Sequence, residues 1–352
     1  MDNPKRILII LIAGIGDLVL ASKAIRTISN AKELPICISL LTSSEAAILA
    51  RAYPYFEKVY AFPIRELRKD KGRLLDIARL VKILRQMEFD QIVNFYLIGS
   101  KAGALKMGLF FSMLKAGAKI GHDRHGFGRF LTDSVSASTF ENRHVVDAMQ
   151  EIALKAGGIP DDRGIEVFWN PGAVSKWSPF FDNILGKIVI GLNPGGDRPS
   201  RRWAPERFAA VASKLIERFD AQFILLGGPV DCEIASSIER EIPSMVSNLS
   251  GTIPLDELPY VISRLDLLLT NDSGPMHIGA ATKTPLVALF GPEDPKRFGP
   301  YSTPDLYRVL QKDVSCRPCR DERCPKPICL EMITPDEVLS ACVEMLQAYK
   351  PS

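Results

Sequence analysis

The chain has 352 residues, 46% of them hydrophobic and 24% charged, with 44 Lys and Arg against 41 Asp and Glu. That length accommodates two domains with separate cores, and the composition excludes a disordered or fibrous protein. A net charge of +3 without a basic stripe interleaved with aromatics leaves no footprint for nucleic acid, and no uncharged apolar stretch is long enough to cross a bilayer.

In chain order, Lys5-Arg6 followed by Ile7 to Ala13 has the outline of a secretory signal. No small-residue cleavage site follows, and Gly14-Ile15-Gly16-Asp17 interrupts the run, so it reads as the first buried strand, with a helix from about Asp17. Ile36 to Leu41, Lys58 to Phe62 and Gln91 to Phe95 read as further strands, with helical patterns between them, one across Leu74 to Met87. The second half repeats the alternation. Strand Ile188 to Leu192 precedes a helix over Pro205 to Phe219 that puts Phe208, Val211, Ala212, Leu215, Ile216 and Phe219 on one face. Strands Phe223 to Leu226, Leu265 to Thr270 and Pro285 to Phe290 follow. Strands alternating with helices predict an α/β protein with mostly parallel sheets. The stretch 157–187, rich in Gly, Pro, Asp and Trp, separates the halves, which gives a first domain at 1–165, a linker at 166–187 and a second domain at 188–333. Seven cysteines, with Cys37, Cys232 and Cys342 alone in apolar or helical contexts, suit a reducing cytoplasm.

Ligands of open α/β sheets bind beyond the carboxyl ends of the strands, so the loops after strands carry the candidate sites. After the first strand, Gly14-Ile15-Gly16-Asp17 begins like a dinucleotide fingerprint but has Val19 where a third glycine belongs. Asp17 also stands where a pyrophosphate would lie, and two negative charges about 4 Å apart repel by ~1 kcal/mol in water and more in a drier site. The first domain is therefore a poor nucleotide site. Asp17 reads as an N-cap of the following helix, as a carboxylate placed to take a proton from a hydroxyl nucleophile, or as both.

The second domain carries the phosphate-friendly loops. Asn193-Pro194-Gly195-Gly196 leads to Arg198, Arg201 and Arg202, whose forks suit phosphate oxygens. After Leu226-Gly227-Gly228, Glu233 is either a ribose acceptor or a first-turn helix acid. The most informative stretch is Thr270 to Thr282, where Asp272, Ser273, Gly274, Pro275, Met276 and His277 follow a buried strand and open a helix. Such a junction aims free N–H groups and the positive end of the helix dipole at one point, so it can hold a diphosphate. Otherwise it is a plain βα turn, with Asp272 as cap and His277 buried.

Together these residues resemble the heptosyltransferases of glycosyltransferase family 9, which build the inner core of lipopolysaccharide. The likeness runs through Gly14 to Asp17, Asn193 to Gly196, Arg201-Arg202-Trp203-Ala204-Pro205-Glu206-Arg207-Phe208, Leu226 to Glu233, and Asp272 to Ala281 into Gly291-Pro292. It implies the GT-B fold, two Rossmann-like domains facing each other across a cleft, with a C-terminal helix at 334–352 that crosses back to the first domain. It implies inverting transfer of a sugar, heptose from ADP-heptose, to a lipopolysaccharide-core or related glycolipid acceptor. Asp17 matches the family's general base, and Glu233 the acid that meets the ribose. Asn193, Gly195, Gly196, Arg201, Asp272, Ser273, Gly274, Met276 and His277 match the donor site. Arg201 stands where the family usually has lysine. Gly16 and the basic run Ile64-Arg65-Glu66-Leu67-Arg68-Lys69 match the acceptor side, with Arg65, Arg68 and Lys69 as the gripping cations; a solvated helix start is the other reading. No cofactor is needed for such a transfer. The implied location is cytoplasmic and peripheral to the inner membrane, with the 65–73 basic patch and residues near Phe110-Phe111 as contacts. Two other functions share these features: a GT-B-like nucleotide-sugar epimerase, and a non-catalytic sugar- or anion-binding module.

Cys316, Cys319, Cys324 and Cys329 have a spacing compatible with tetrahedral zinc, and Arg317, Arg320, Arg323 and Lys326 would favour the thiolates. A structural zinc here, or free or paired thiols, are the expectations.

Overall fold

A computed structural model of the chain describes residues 3–31, 35–70, 73–136, 143–317, 319, 324 and 326–349, with the side chains of residues 65, 68, 69 and 244 outside the description. The chain divides into two compact units, Met1–Ile165 and Glu166–Ser352.

The first unit is built on a six-stranded sheet in the order β3-β2-β1-β4-β5-β6. Its strands are β1 (Lys5–Leu11), β2 (Ile36–Ser43), β3 (Phe56–Phe62), β4 (Phe89–Asn94), β5 (Ala116–Asp123) and β6 (Asp133–Ser136). Every recorded pairing is parallel. Ile7 to Leu11 is buried throughout because helices cover both faces of a parallel sheet, which is why the strand reads as one apolar run. The helices of this unit are α1 (Ile15–Ser29), α2 (Ser44–Ala50), α3 (Ile64–Lys69), α4 (Leu74–Gln86), α5 (Lys101–Met113) and α6 (Val145–Lys155). Helices α4 and α5 pack through Leu80, Leu84 and Phe111 on one core with Leu8, Ile10 and Ile92 of the sheet. The fully buried Arg26 of α1 grips Asp161 with two nitrogens and the carbonyls of Arg163 and Gly164 at 2.9 Å, fixing the end of the unit to α1.

The second unit repeats the plan with the order β12-β11-β10-β7-β8-β9. Its strands are β7 (Ile188–Asn193), β8 (Ala221–Leu225), β9 (Val246–Asn248), β10 (Leu267–Asn271), β11 (Leu286–Phe290) and β12 (Tyr307–Gln311). Its helices are α7 (Gly172–Asp182), α8 (Pro205–Ile216), α9 (Cys232–Glu241), α10 (Leu258–Ser263), α11 (Gly274–Thr282), α12 (Pro295–Phe298), α13 (Ile328–Glu331) and α14 (Pro335–Ala348). The stretch expected as a linker thus contains α7.

The last helix goes elsewhere than expected. Val338, Leu339, Cys342, Met345 and Leu346 of α14 belong to the second unit's own core, with Phe208, Val211 and Leu215 of α8. The segment entering it is tied there as well: Trp203 donates its indole N–H to the Ile333 carbonyl at 3.1 Å, and Arg207 donates to the same oxygen at 2.9 Å. Thr334 and Glu337 then close a capping box, Glu337 N–H on Thr334 Oγ1 and Thr334 N–H on Glu337 Oε2. An apolar stripe on α14 needs a sheet to cover, and the sheet it covers is that of the second domain.

Candidate active site

Each sheet reverses its strand order at one place, between β1 and β4 in the first and between β7 and β10 in the second. The loops that leave such a switch point diverge and leave room for a ligand. In the second domain these are the loops after Asn193 and after Asn271.

Two buried asparagines lock those loops together. Asn193 Nδ2 donates to Thr270 Oγ1 at 2.9 Å and Ser273 Oγ at 2.8 Å. Asn271 Nδ2 donates to the carbonyls of Pro194 at 2.7 Å and Gly195 at 3.2 Å, while its Oδ1 accepts from Trp203 N–H at 3.1 Å. Gly195 must be glycine, since a Cβ there would meet the Asp231 carboxyl carbon at 2.3 Å. Gly196, with φ of +153°, adopts a backbone conformation that side chains disfavour. Its carbonyl accepts from Arg202 Nε and Nη2 at 2.8 and 2.6 Å, so the arginine loop folds back over the glycines.

Arg201 reaches the other loop. Its Nη1 lies 3.3 Å from Oδ2 of the buried Asp272, and its Nη2 pairs with Glu293. Arg198 stands 3.6 Å from the same Glu293 carboxylate, and Arg202 3.6 Å from Asp231. Three guanidinium groups are thus held in place by three carboxylates around one point, an arrangement that orients the forks before any anion arrives.

Helix α11 begins at this point. Ser273 is its N-cap, with extended backbone, and Gly274 and Pro275 open the first turn. The helix sits close to the sheet because Gly279 faces Leu268, where an added Cβ would lie 2.9 Å from Cδ2. Its first N–H groups and the positive end of its dipole therefore face the arginine cluster. His277 is buried in the second turn, and the Met276 side chain is wholly buried. The Met276 N–H bonds to the Ser273 carbonyl at 3.1 Å. Glu233 lies exposed in the first turn of α9.

Sequence reasoning missed Asn271, Asp231 and Glu293. Each joins loops that are far apart in the chain, and no local spacing signals that. Asp231 carried one hint, its place three residues after Gly228, whose N–H it accepts at 3.0 Å.

At the first domain's switch point, α1 starts at Ile15 rather than near Asp17, and Gly14 is the N-cap. Asp17 is three residues into the cap region, and its Oδ2 accepts the Gly14 N–H at 3.1 Å. It therefore closes the loop back on itself, as the glutamate of a capping box does, rather than standing as N-cap. Ser43 at the end of β2 donates to the Ala13 carbonyl at 2.7 Å and fixes the loop from the neighbouring strand. Gly16 lies in the first turn of α1. The run Ile64–Lys69 forms helix α3. The side chains of Arg65, Arg68 and Lys69 lie outside the described residues. Phe111, in the stretch near which membrane contacts were expected, is buried against Phe130 at a ring distance of 4.8 Å, and Phe110 packs on the same core.

The four clustered cysteines line one small cavity with Ser200 and Pro292, beside the arginine loop. Among the described residues no group of three or more His, Cys, Asp or Glu is placed to hold a metal ion, so the zinc expectation is not supported. Burial raises the Cys329 thiol above its ordinary value, a hydrogen bond from the Leu330 backbone opposes the shift, and the neighbouring Cys316 and Cys324 add to it. Arg317, expected to act on the thiols, donates to the Lys312 carbonyl and to Asp313, and Cys324 donates its S–H to the Lys326 carbonyl at 3.2 Å. Arg320 and Arg323 lie outside the described residues.

Comparison with known proteins gives the family and the fold. The sequence profile of glycosyltransferase family 9 (heptosyltransferase) matches residues 77–329. Lipooligosaccharide heptosyltransferase 2 of Campylobacter jejuni is 31% identical over 168 residues, 46% of this chain and 52% of that protein, so the match spans about half the length of that relative. The structure of the Escherichia coli ADP-heptose LPS heptosyltransferase II superposes with a TM-score of 0.74 over 97% of this chain and 99% of that one, at 24% identity. A glycosyltransferase family 9 structure from Veillonella parvula gives 0.81 over 99% of both chains, at 22% identity. These likenesses give the GT-B fold. The profile covers most of the chain, including every loop of the second domain's switch point, and the chain belongs to glycosyltransferase family 9, the heptosyltransferase family.

Proposed function

We propose that the protein transfers heptose, with inversion at the anomeric carbon, from ADP-heptose to a lipopolysaccharide-core or related glycolipid acceptor. The observation that carries this is the arginine cluster at the start of α11, where Arg201 stands beside Asp272 on loops locked by Asn193 and Asn271. A helix N-terminus with oriented forks is suited to the two phosphates of a nucleoside diphosphate. The sugar and base follow the E. coli relative, whose name specifies ADP-heptose and LPS.

In this mechanism Asp17 takes the proton from an acceptor hydroxyl, and the oxygen attacks C1 of the sugar. The bond from C1 to the phosphate oxygen breaks, its electron pair leaves with ADP, and Arg201 with the N–H groups opening α11 takes up the developing charge. Glu233 accepts from the ribose hydroxyls. Gly16 and the cations of α3 hold the acceptor. The charge on the leaving group is met by protein cations, so the mechanism calls on no bound divalent metal. The acceptor is lipid-linked, and the protein works on the cytoplasmic side of the inner membrane as a peripheral enzyme.

The test is transfer itself: purified protein with ADP-heptose and heptose-deficient lipopolysaccharide should add one heptose to the acceptor by mass and release one ADP. Consumption of ADP-heptose without any acceptor would favour an epimerase. Binding without turnover of either substrate would favour a binding module.

A further inference from the structure

Because every recorded pairing in the first sheet is parallel, the carboxyl ends of its strands share one edge, and the Asp17 loop lies on it. Helix α4 follows β3 by way of α3, and α5 follows β4, so both helices start on the side of that edge. Among the described residues both carry exposed leucines, two in the first turn of α4 and two in the second and third turns of α5. Leu74 and Leu75 are 58% and 68% exposed, and Leu105 and Leu109 are 77% and 63% exposed.

These are not the residues that hold the helices down. On α5, Phe111 meets the core, while Lys101, Leu105 and Leu109 repeat every four residues along the solvent side, with Lys106 beside them. On α4, Leu80 and Leu84 are buried, whereas Leu74, Leu75, Arg79 and Lys82 face outward. Lys101 and Lys106 are exposed beside the leucines of α5, and Arg79 and Lys82 are exposed on α4. The sequence of this region is basic as well: residues 64–115 hold eleven Lys and Arg against five Asp and Glu, a net of +6 where the whole chain carries +3. Leucines flanked by lysines and arginines match a surface that is apolar within and anionic at its headgroups.

We propose that the outer faces of α4 and α5 form a membrane-docking face, in which Leu74, Leu75, Leu105 and Leu109 enter the headgroup region of an anionic leaflet while Lys101 and Lys106 meet its phosphates. Docking there brings the edge that carries Asp17 to the lipid surface, where a lipid-linked acceptor presents its sugar. The inference rests on the reading of the acceptor as a glycolipid. It makes the docking leucines separate from the residues that hold donor or acceptor.

The experiment is co-sedimentation of the full chain with phosphatidylglycerol-rich vesicles and with pure phosphatidylcholine vesicles. The parent should bind the anionic vesicles and leave them at about 1 M salt, where the screening length is about 3 Å. Leu105→Ser with Leu109→Ser should weaken partitioning about tenfold or more, and Leu74→Ser with Leu75→Ser should add to the loss. Lys101→Glu with Lys106→Glu should weaken it by about tenfold, and only on anionic vesicles. All variants should keep parental ADP affinity and parental transfer to a delipidated, water-soluble core acceptor. A parent that ignores anionic vesicles, or leucine variants that bind them as the parent does, overturns the proposal. So does a leucine variant that turns a dimer into a monomer without losing vesicle binding, which would make the face a contact between two copies. If the parent docks but transfers no sugar to the soluble acceptor, the functional reading fails while the docking face stands.

Discussion

Both domains use one scaffold, a six-stranded parallel sheet that reverses its order once, yet they finish the switch point with opposite charges. In the first domain the glycine-bearing loop after β1 closes on a carboxylate, Asp17, held by the Gly14 N–H. In the second, the glycine-bearing loop after β7 closes under Arg202 and leads to Arg201 and Arg198. A helix N-terminus favours anions in both places. The first domain meets that preference with its own side chain, and the second sets arginines beside it. On the proposed function the difference gives proton acceptance to one domain and diphosphate binding to the other.

The sharpest way to break this division is Asp17→Asn. An amide oxygen still accepts the Gly14 N–H, so the variant should melt within a few degrees of the parent and bind ADP with parental affinity. It cannot take a proton, and loss of a positioned base costs about 10²- to 10⁴-fold in rate. Transfer measured by acceptor mass should fall at least about a hundredfold. Near-parental turnover would place the base elsewhere, and a loss of ADP affinity would undo the division between domains.

The reciprocal change is Arg201→Ala, which removes a guanidinium without touching the first domain. A hydrogen bond to a charged partner contributes about 1.5–3 kcal/mol, so ADP affinity by calorimetry should weaken about ten- to hundredfold. Arg201→Lys should fall between the two, since it keeps the charge and loses the fork. If Arg201→Ala binds ADP as tightly as the parent, the diphosphate lies elsewhere.

How much of this was legible in the sequence differs by kind of contact. The strands were plain because Ile7 to Leu11 and Leu267 to Asn271 are buried on both faces, and continuous apolar runs have few other uses in so short a length. The face of α8 was equally plain, with Phe208, Val211, Ala212 and Leu215 buried at helical spacing. The two glycine loops and the start of α11 could be placed because they follow strands. What periodicity could not supply was the partner of a surface. The stripe of α14 looks the same whichever sheet it covers, and only the anchorage of Ile333 to Trp203 and Arg207 decides for the second. The apolar contacts were expected near Phe110-Phe111; those two rings pack on the core, and the exposed leucines of α5 are Leu105 and Leu109, both earlier in the helix. Glu293, which holds Arg198 and Arg201 together, sits in a loop 92 residues from Arg201 and carries no local mark.

A smaller effect tests how far the second domain's loop depends on backbone approach. Gly195→Ala would drive a methyl group into the Asp231 carboxylate, whose three outer atoms lie 2.3–2.6 Å from the ideal Cβ position. The loop must shift, and overpacking of this kind costs typically 1–3 kcal/mol. Thermal melting should drop by a few degrees, and ADP affinity should weaken about tenfold because the loop also carries Arg198 and Arg201. The first-domain counterpart, Gly14→Ala, meets only Asp17 Oδ2 at 3.7 Å and has ordinary backbone, so it should be nearly silent in both measurements. Equal effects from the two substitutions would contradict the idea that the second loop is the more tightly built.

The last contrast is in acid. His122, near the end of β5, is buried, and burial pushes its imidazole down to about 4, with Glu151 and hydrogen bonds to the Val135 and Ala148 backbone opposing the shift. The unfolded chain binds this proton below about pH 6.5, while the folded domain refuses it until about pH 4, so between those values the unfolded state holds more protons. Stability from the neutral imidazole is therefore complete above pH 6.5 and is lost as the pH falls toward 4. Between pH 7 and pH 5 the loss is on the order of 1–2 kcal/mol. Denaturant midpoints should fall over that interval in the parent and fall less in His122→Gln, which carries no charge at either pH. Hydrogen exchange should locate the loss in the first domain, quickening β4, β5 and α6 amides at pH 5 more than those of β7 and β10. A pH dependence unchanged by His122→Gln, or acid-quickened exchange centred on the second sheet, would assign the sensitivity to other groups.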